Sequence, residues 1–320
     1  MRSISKKFFV TCAVALVMAL GCSRTASNGY PERNIEIIIP FNAGGGFDAY
    51  IRALAPHIEK HLPNKVNILP VNRPGAGGRR GALDVYRARP DGYTIGMFNL
   101  PGVLIPELQG EDVEYDLSRF SWLATLSTDG YGFIVKGNSP LGSIEEAKNL
   151  GRPVVYGATG PASTSHSATV IANEVLGIPY RIVSGYAGSS DYIVGVIRGD
   201  VDAAFANLST IRPYIHSGDV KVLGIIGASG NDDSPGNAAR LGPAALDNIS
   251  LVRMLGGPPG LPQDVKSILE NAILAALADP EFKAWLKSTG NEVTAAGADA
   301  TTQSLTVMSE FYKNYKEFFK

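Results

Sequence analysis

The chain has few cysteines and few histidines, and both shortages restrict its chemistry. Of 320 residues only 2 are Cys and 4 are His. Cys12 lies inside an N-terminal leader, so the mature chain keeps at most one cysteine and forms no internal disulfide. There is no cysteine cluster and no H-E-x-x-H motif, and His57, His61 and His216 fall on predicted helices as solvated residues. We therefore predict no zinc site and no cofactor.

Clusters of like charge and long apolar runs are also scarce. The net charge is −1, and no cluster of Lys and Arg offers a surface for phosphates, which argues against nucleic-acid binding. After the leader, no segment is apolar enough to span a bilayer. The roughly 300 remaining residues are too many for most single cores and predict two lobes.

The first residues have the pattern of an export signal. A basic start precedes the apolar run Phe8–Leu20, which is too short for a membrane span. The following Gly21-Cys22 pair resembles the end of a lipobox, in which Cys22 would be lipidated, although Ala19 stands where Leu is usual. Plain secretion is the alternative. We predict a signal peptide over residues 1–22 and a polar tether over 23–30.

One stretch organises the rest of the chain. Ile35–Ile39 is a β-branched run typical of a buried strand, and Pro40 ends it because proline cannot donate to a sheet. Gly44–Gly46 then turn the chain into a helix within Ala49–Leu62. A glycine loop at a helix N-terminus presents free amides and the positive dipole end to an anion. We interpret this loop as half of a carboxylate-binding cleft.

The same loop has two other interpretations. It could be a packing turn without a ligand. Gly44, Gly46 and Ala49 also fit the dinucleotide pattern G-x-G-x-x-A, which requires an acidic residue at the end of the next strand. That strand, Val66–Val71, ends in Asn-Arg-Pro and has no acid there.

Two more strands end in similar loops. Val66–Val71 runs into Asn72-Arg-Pro-Gly-Ala-Gly-Gly78 and then a helix near Gly81–Ala88. A turn at Asp91-Gly92 precedes the strand Tyr93–Phe98, which ends in the loop Asn99-Leu-Pro-Gly. Ligands of open parallel sheets bind outside the carboxyl ends of the strands. The three loops therefore belong to one candidate site.

These motifs carry a family resemblance. Pro40-Phe-x-x-Gly-Gly-Gly-x-Asp48, Asn72-Arg-Pro-Gly-Ala-Gly-Gly78 and Pro90-Asp-Gly-Tyr-Thr94 resemble the substrate-binding receptors of tripartite tricarboxylate transporters, the TctC or Bug family. The resemblance implies an extracytoplasmic, monomeric receptor that passes a small carboxylate to membrane permease subunits. Phe47 departs from the family's usual Thr or Ser, and Arg79-Arg80 replace residues that are usually neutral.

The implied fold is α/β, a type II-like periplasmic-binding-protein fold. Each lobe would be a mostly parallel sheet flanked by helices, with the ligand in the cleft between the lobes. Strands and helices alternate from Val154 to Ile226, which independently favours a doubly wound second lobe. With crossovers near Leu126–Gly130 and Ile225–Ser229, lobe I spans 31–127 and 227–320, and lobe II spans 128–226.

The C-terminal part is predicted to be helical. Pro262 opens one helix, and Asp279-Pro280 starts another that ends before Gly290. An aromatic stripe follows in the last ten residues, with the spacing of a helix face that docks into the core. The stripe consists of Phe311, Tyr315, Phe318 and Phe319.

The candidate ligand-binding residues come from both lobes. Those of lobe I are Phe41, Asn42, Ala43, Gly44, Gly45, Gly46, Phe47, Asp48, Gly77, Gly78, Arg79 and Asn99. Those of lobe II, implied by the resemblance, are Thr159, Ser163, Thr164, Ser165, His166, Tyr186, Gly188, Ser189 and Asn207. Asp48 could instead only balance the helix dipole, and Arg79 or Arg80 could simply reach solvent.

Two alternatives to a transport receptor remain open at this point. Ser165 and His166 could belong to an exported serine hydrolase, but no G-x-S-x-G elbow is present, and Ser163 or Ser165 fits better as a helix N-cap. A carboxylate sensor that feeds a signalling partner is the other alternative. The residues predict binding and no catalysis, so we expect no enzyme.

Overall fold

The structure is a computed structural model that describes residues 29–161, 163–227, 238–291 and 293–319. The predicted signal peptide, the lipidation site Cys22 and most of the tether lie outside these residues. The strands are, in chain order, β1 Ile35–Ile39, β2 Ile68–Asn72, β3 Thr94–Leu100, β4 Ser121–Asp129, β5 Tyr131–Lys136, β6 Val154–Ala158, β7 Tyr180–Ser184, β8 Ala203–Asn207, β9 Val220–Ile226, β10 Leu251–Gly257 and β11 Ala296–Gly297. The α-helices are α1 Gly46–His61, α2 Arg79–Tyr86, α3 Ile105–Leu108, α4 Ile144–Lys148, α5 Thr164–Leu176, α6 Ser189–Arg198, α7 Leu208–His216, α8 Gln263–Ala278, α9 Pro280–Thr289 and α10 Ala298–Lys313.

The strands form two sheets, as expected for a two-lobed α/β protein. The first has the order β11-β4-β10-β3-β1-β2 and takes strands from both ends of the chain. The second has the order β7-β6-β8-β5-β9 and uses only the middle of the chain. This arrangement puts the predicted strand-end loops of each half at one edge of its own sheet.

The prediction of mostly parallel sheets is corrected by the pairing, because both sheets are mixed. In the first, β1 is parallel to β2 and β3, while β10 is antiparallel to β3 and β4. In the second, β6 is parallel to β7 and β8, while β5 is antiparallel to β8 and β9. β10 in the first sheet and β5 in the second run against the direction set by the βαβ units, whereas β4 runs in the same direction as β3.

The first sheet is fixed by apolar periodicity. Four of the five β1 residues are buried isoleucines, and α1 buries Ile51, Leu54 and Ile58 on one face. That face shares a core with Leu269 and Ile273 of α8. Burying one such side chain stabilises the fold by about 1.5–3 kcal/mol. The glycine loop that joins β1 to α1 is therefore held from both sides by packed elements.

Two segments connect the sheets. Gly130 alone separates β4 from β5, so the chain passes directly from one sheet to the other. At residues 239–241 the chain lies beside the second sheet, because Ile225 bridges to Arg240 and the Ile225 carbonyl accepts from Leu241 N at 2.8 Å. It then reaches the first sheet at β10.

The C-terminal aromatic stripe is only partly buried. Phe319 is in the core, but Phe318 is 45% exposed, so its predicted burial is wrong. The α-helix ends at Lys313 and a 3-10 turn follows over Lys316–Phe319, which changes the helical phase. Tyr312 takes the buried position instead. Among the described residues, no helix has both the length and the apolarity needed to span a membrane.

Candidate functional site

The first glycine loop has an open helix N-terminus. Gly44 adopts φ +82°, a left-handed conformation that glycine tolerates best. Gly45 is the N-cap of α1 and has no side chain to cap the helix. The first amides of a helix have no partner within the helix, so those of the first turn remain available to an anion.

Asp48 holds this loop from behind. Its Oδ2 accepts from Gly44 N at 2.9 Å, and its Oδ1 accepts from Arg52 Nε and Asn72 Nδ2, both at 2.9 Å. The hydrogen bond from Arg52, assisted by those from Gly44 and Asn72, lowers the pKa of Asp48 to about 2. The carboxylate is buried and engaged by the protein, so it positions the loop and does more than balance the helix dipole.

The second loop packs against the first. Gly77 and Gly78 both have positive φ, and Gly78 is the N-cap of α2 without a side-chain cap. A Cβ on Gly81 would lie 2.9 Å from Pro40 Cβ, so only glycine lets α2 approach the first loop this closely. Arg79 forms an ion pair with Glu111 and donates to Ala76 O, whereas Arg80 is exposed. Arg79 thus already has an acidic partner.

Asn99 marks the third strand end. It is the penultimate residue of β3 and only 9% exposed. Its Oδ1 is buried and has no hydrogen-bond partner among the described residues. A buried polar atom without a partner is costly, which makes this side chain a candidate for contact with a ligand.

The loop from Thr159 to His166 supplies the first contribution of the second sheet. Ser163 is the N-cap of α5 and accepts from His166 N at 3.2 Å, as predicted. Ser165 Oγ lies 3.0 Å from Ser163 Oγ and 3.2 Å from Thr159 N, and it is not bonded to His166. This geometry gives the serine no base, which counts against the hydrolase interpretation. Burial lowers the pKa of His166, whose Nδ1 has no described partner.

Two further helices begin beside this loop. Gly188 is the N-cap of α6 and Asn207 is the N-cap of α7, and neither makes a side-chain cap. Tyr186 lies along α6, where a Cβ on Gly195 would be 2.7 Å from the Tyr186 hydroxyl. The Asn207 Nδ2 is buried without a described partner.

Sequence reasoning missed three residues of this region. Each has a buried polar atom without a described partner: Tyr131 Oη, Tyr192 Oη and Arg253 Nε. Tyr131 is paired across the sheet with Asn207, and Tyr192 lies in the first turn of α6, where burial raises its pKa to about 12. Arg253 lies on β10 between Asn99 and Ser127. A lone arginine in the apolar run Leu251–Leu255 was the signal that could have identified it.

Asp129 lies where the two sheets meet. Its carboxylate accepts from both the backbone and the hydroxyl of Ser209 at the start of α7. Burial raises the pKa of Asp129, and the positive charge of Arg253 opposes that shift. The carboxylate thus connects the end of β4 in the first sheet to a helix of the second.

Comparison with known proteins identifies the family. The family model described as "Tripartite tricarboxylate transporter family receptor" matches residues 50–313. The chain belongs to this family. A UPF0065 protein of Bordetella bronchiseptica is 26% identical over 297 residues, which cover 91% of this chain and 86% of that protein.

Solved structures show the same fold. A TctC solute-binding protein from Polaromonas superimposes with a TM-score of 0.75 at 25% identity, covering 89% of this chain and 98% of that one. MatC from Rhodopseudomonas palustris, whose structure contains malate, gives 0.71 at 20% identity, with 91% and 100% covered. The receptor therefore has the two-lobed fold of periplasmic binding proteins, and its family is extracytoplasmic.

Two other features of the receptor lie away from the strand-end loops. His57 is half-buried, 2.8 Å from Asp279 Oδ2, so the predicted solvated position is wrong. His57, Asp279 and Glu281 could supply metal ligands, but Lys60 Nζ already pairs with both acids, at 3.4 and 2.9 Å. A groove of about 560 Å³, which includes Lys136 and Asp202, lies at the opposite edge of the second sheet.

Proposed function

We propose that this receptor captures a small carboxylate, a di- or tricarboxylate or related organic acid, in the cleft between its lobes. It then delivers the ligand to the membrane permease subunits of a tripartite transporter. The lobes are residues 31–127 with 227–320, and residues 128–226. The receptor works as a monomer and without a catalytic step.

The observation that carries the proposal is a set of buried polar groups without described partners, on strands and in the first turns of helices of both lobes. Among the described residues, lobe I contributes Asn99 Oδ1 and Arg253 Nε, and lobe II contributes Tyr131 Oη, His166 Nδ1, Tyr192 Oη and Asn207 Nδ2. Two uncapped helix N-termini, those of α1 and α6, add free amides from both lobes. Buried polar groups are normally satisfied, and a bound carboxylate between the lobes would satisfy several of these at once.

The magnitudes are sufficient for a receptor. A hydrogen bond to a charged group contributes about 1.5–3 kcal/mol. Four or five of them leave about −8 kcal/mol, a micromolar dissociation constant, after the costs of ordering and closure are subtracted. The malate in the MatC structure supports a carboxylate as the ligand of a receptor with this fold.

The receptor is held at the cell surface by a lipid on Cys22. The Gly21-Cys22 pair after the apolar run supports this proposal. Bacterial lipid modification places several acyl chains on one cysteine, which meets the need for more than one chain in stable anchoring.

A thermal-shift screen tests the proposed function. The mature protein is melted alone and with mono-, di- and tricarboxylates, aromatic acids and amino acids. A ligand at 100 times its dissociation constant adds about 2.7 kcal/mol to the stability of the folded state. We expect at least one carboxylate, and no uncharged amide analogue, to raise the melting temperature. A panel without effect would contradict the proposal.

A further inference from the structure

Arg253 is an unusual cation for its position. It lies in the middle of β10, where the other six residues are all buried and uncharged. Its cross-strand neighbours are Asn99 on β3 and Ser127 on β4. The side chain is only 8% exposed. A charge is rarely taken out of water this far unless a partner compensates it.

The described residues compensate Arg253 only in part. Nη1 donates to Ser127 Oγ at 3.0 Å, while Nε has no partner. No described carboxylate forms an ion pair with the guanidinium. Asp129 is near enough to act on it electrostatically, but that carboxylate is held by Ser209. The guanidinium therefore retains donor capacity for an anion.

The side chains around Arg253 place its free hydrogen-bond donors beside the loops of the cleft. The Phe47 ring centre is 5.1 Å from Arg253 Cζ, and the Tyr50 ring centre is 5.9 Å away. Phe47 belongs to the first glycine loop and packs on Phe41, with 4.5 Å between the ring centres. The Asn99 side chain beside Arg253 also has an unpartnered atom. The rings exclude water from the guanidinium, which strengthens any charge pair formed there.

We propose that Arg253, beside Asn99 and under Phe47, binds a second carboxylate of the ligand and so sets a preference for dicarboxylates over monocarboxylates. The inference depends on the proposed function, since the first carboxylate is bound by the helix N-termini. A planar guanidinium pairs with a carboxylate through two parallel hydrogen bonds, which lysine cannot reproduce.

Matched acids of equal length test this role. Isothermal titration is carried out with succinate and butyrate, glutarate and valerate, and adipate and hexanoate. We expect the wild-type receptor to prefer the diacid in the pair that best fits the cleft. Arg253→Met keeps the length of the side chain but removes its charge. It should lower the affinity for that diacid by about 10- to 150-fold and the affinity for the monoacid by less than about threefold. Arg253→Lys should restore only part of the preference.

The control is Arg33→Met. Arg33 also stacks on an aromatic ring, Tyr93 at 3.8 Å, but it is paired with Asp91 on the exposed surface. Arg33→Met should leave the affinity for every acid unchanged. Equal weakening of diacid and monoacid in Arg253→Met, or an unchanged diacid affinity, would overturn the inference while leaving the proposed function intact. If the wild type binds none of these acids and none from the thermal-shift panel, both the role of Arg253 and the proposed function are contradicted.

Discussion

Replacing Asp48 tests whether the glycine loop is built as described. Asp48→Asn keeps the shape of the side chain but converts one oxygen into a donor. If the amide oxygen stays at the Oδ1 position, it still accepts from Arg52 and Asn72. The new NH₂ group then faces the Gly44 amide, which donated at 2.9 Å in the wild type. Two hydrogen-bond donors then face each other, and the loop loses the hydrogen bond that holds Gly44 in place.

The magnitude follows from these contacts. One lost hydrogen bond to a charged acceptor costs about 1.5–3 kcal/mol. Loss of charge opposite the half-exposed Arg52 adds about 0.2–1 kcal/mol. We therefore expect Asp48→Asn to lower the free energy of unfolding by about 2–4 kcal/mol at pH 7. Ligand affinity should fall as well, because the amides of Gly44 and its neighbours lose their fixed positions.

Urea unfolding as a function of pH provides the assay. The pKa of Asp48 is lowered from 3.8 to about 2 in the folded state, so its contribution is complete above pH 3.8. The contribution is lost as the pH falls toward 2, because the proton then binds both states. The stability difference between wild type and Asp48→Asn should therefore shrink over that interval.

Asp299→Asn is the matched control for the dipole alternative. Asp299 also lies in the first turn of a long helix, α10, but it is exposed. A pure dipole effect is worth about 0.3–1 kcal/mol. Equal losses in Asp48→Asn and Asp299→Asn, or a difference that does not depend on pH, would refute the fastening role.

Two further predictions concern packing and anchoring. Gly81→Ala should lower the free energy of unfolding by about 1–3 kcal/mol and weaken ligand binding, because the new methyl group presses on Pro40. Gly160→Ala is the control, since a Cβ there has open space around it. It should change the free energy of unfolding by less than about 0.5 kcal/mol in the same urea titration. Cys22→Ser should move the protein from the membrane fraction to the soluble exported fraction without changing ligand affinity. A wild-type protein already found in the soluble fraction would remove the lipid-anchor proposal.

Much of the fold could be predicted from local patterns. Ile35–Ile39 was identified with the correct ends, because a dense β-branched run between turn residues leaves little choice. The strands β4, β5 and β10 were missed. They pair antiparallel with strands far away in sequence, and their Ser, Thr and Gly residues gave no clear period. Because these strands were missed, the sequence predicted mostly parallel sheets where the structure has mixed ones.

The candidate site was predictable only where it depends on local turns. Glycine loops and N-caps are encoded within a few residues, so Gly45 and Ser163 could be found. Arg253 and Ser127 meet across 126 positions of sequence, and no local pattern indicates such a contact. The same holds for Tyr131 and Asn207, which are brought together by the pairing of β5 with β8. Buried groups without partners become visible only in three dimensions.

Gly45→Val tests the central claim most directly, because the position tolerates a side chain. Gly45 has φ −79°, and a Cβ there would lie 3.5 Å from the Asn42 carbonyl oxygen, an ordinary contact. The variant should therefore fold, with a loss of stability of about 1 kcal/mol at most from the poorer N-cap. Gly142→Val, just before the N-cap of α4, is the control.

The measurement is isothermal titration of both variants with the best carboxylate of the panel, with circular dichroism to confirm the fold. If the Gly45 amide region contacts the carboxylate, the valine side chain blocks it. We expect Gly45→Val to lose measurable binding and Gly142→Val to retain wild-type affinity. A folded Gly45→Val that binds at wild-type affinity would show that the loop is a packing turn, and that the ligand binds elsewhere.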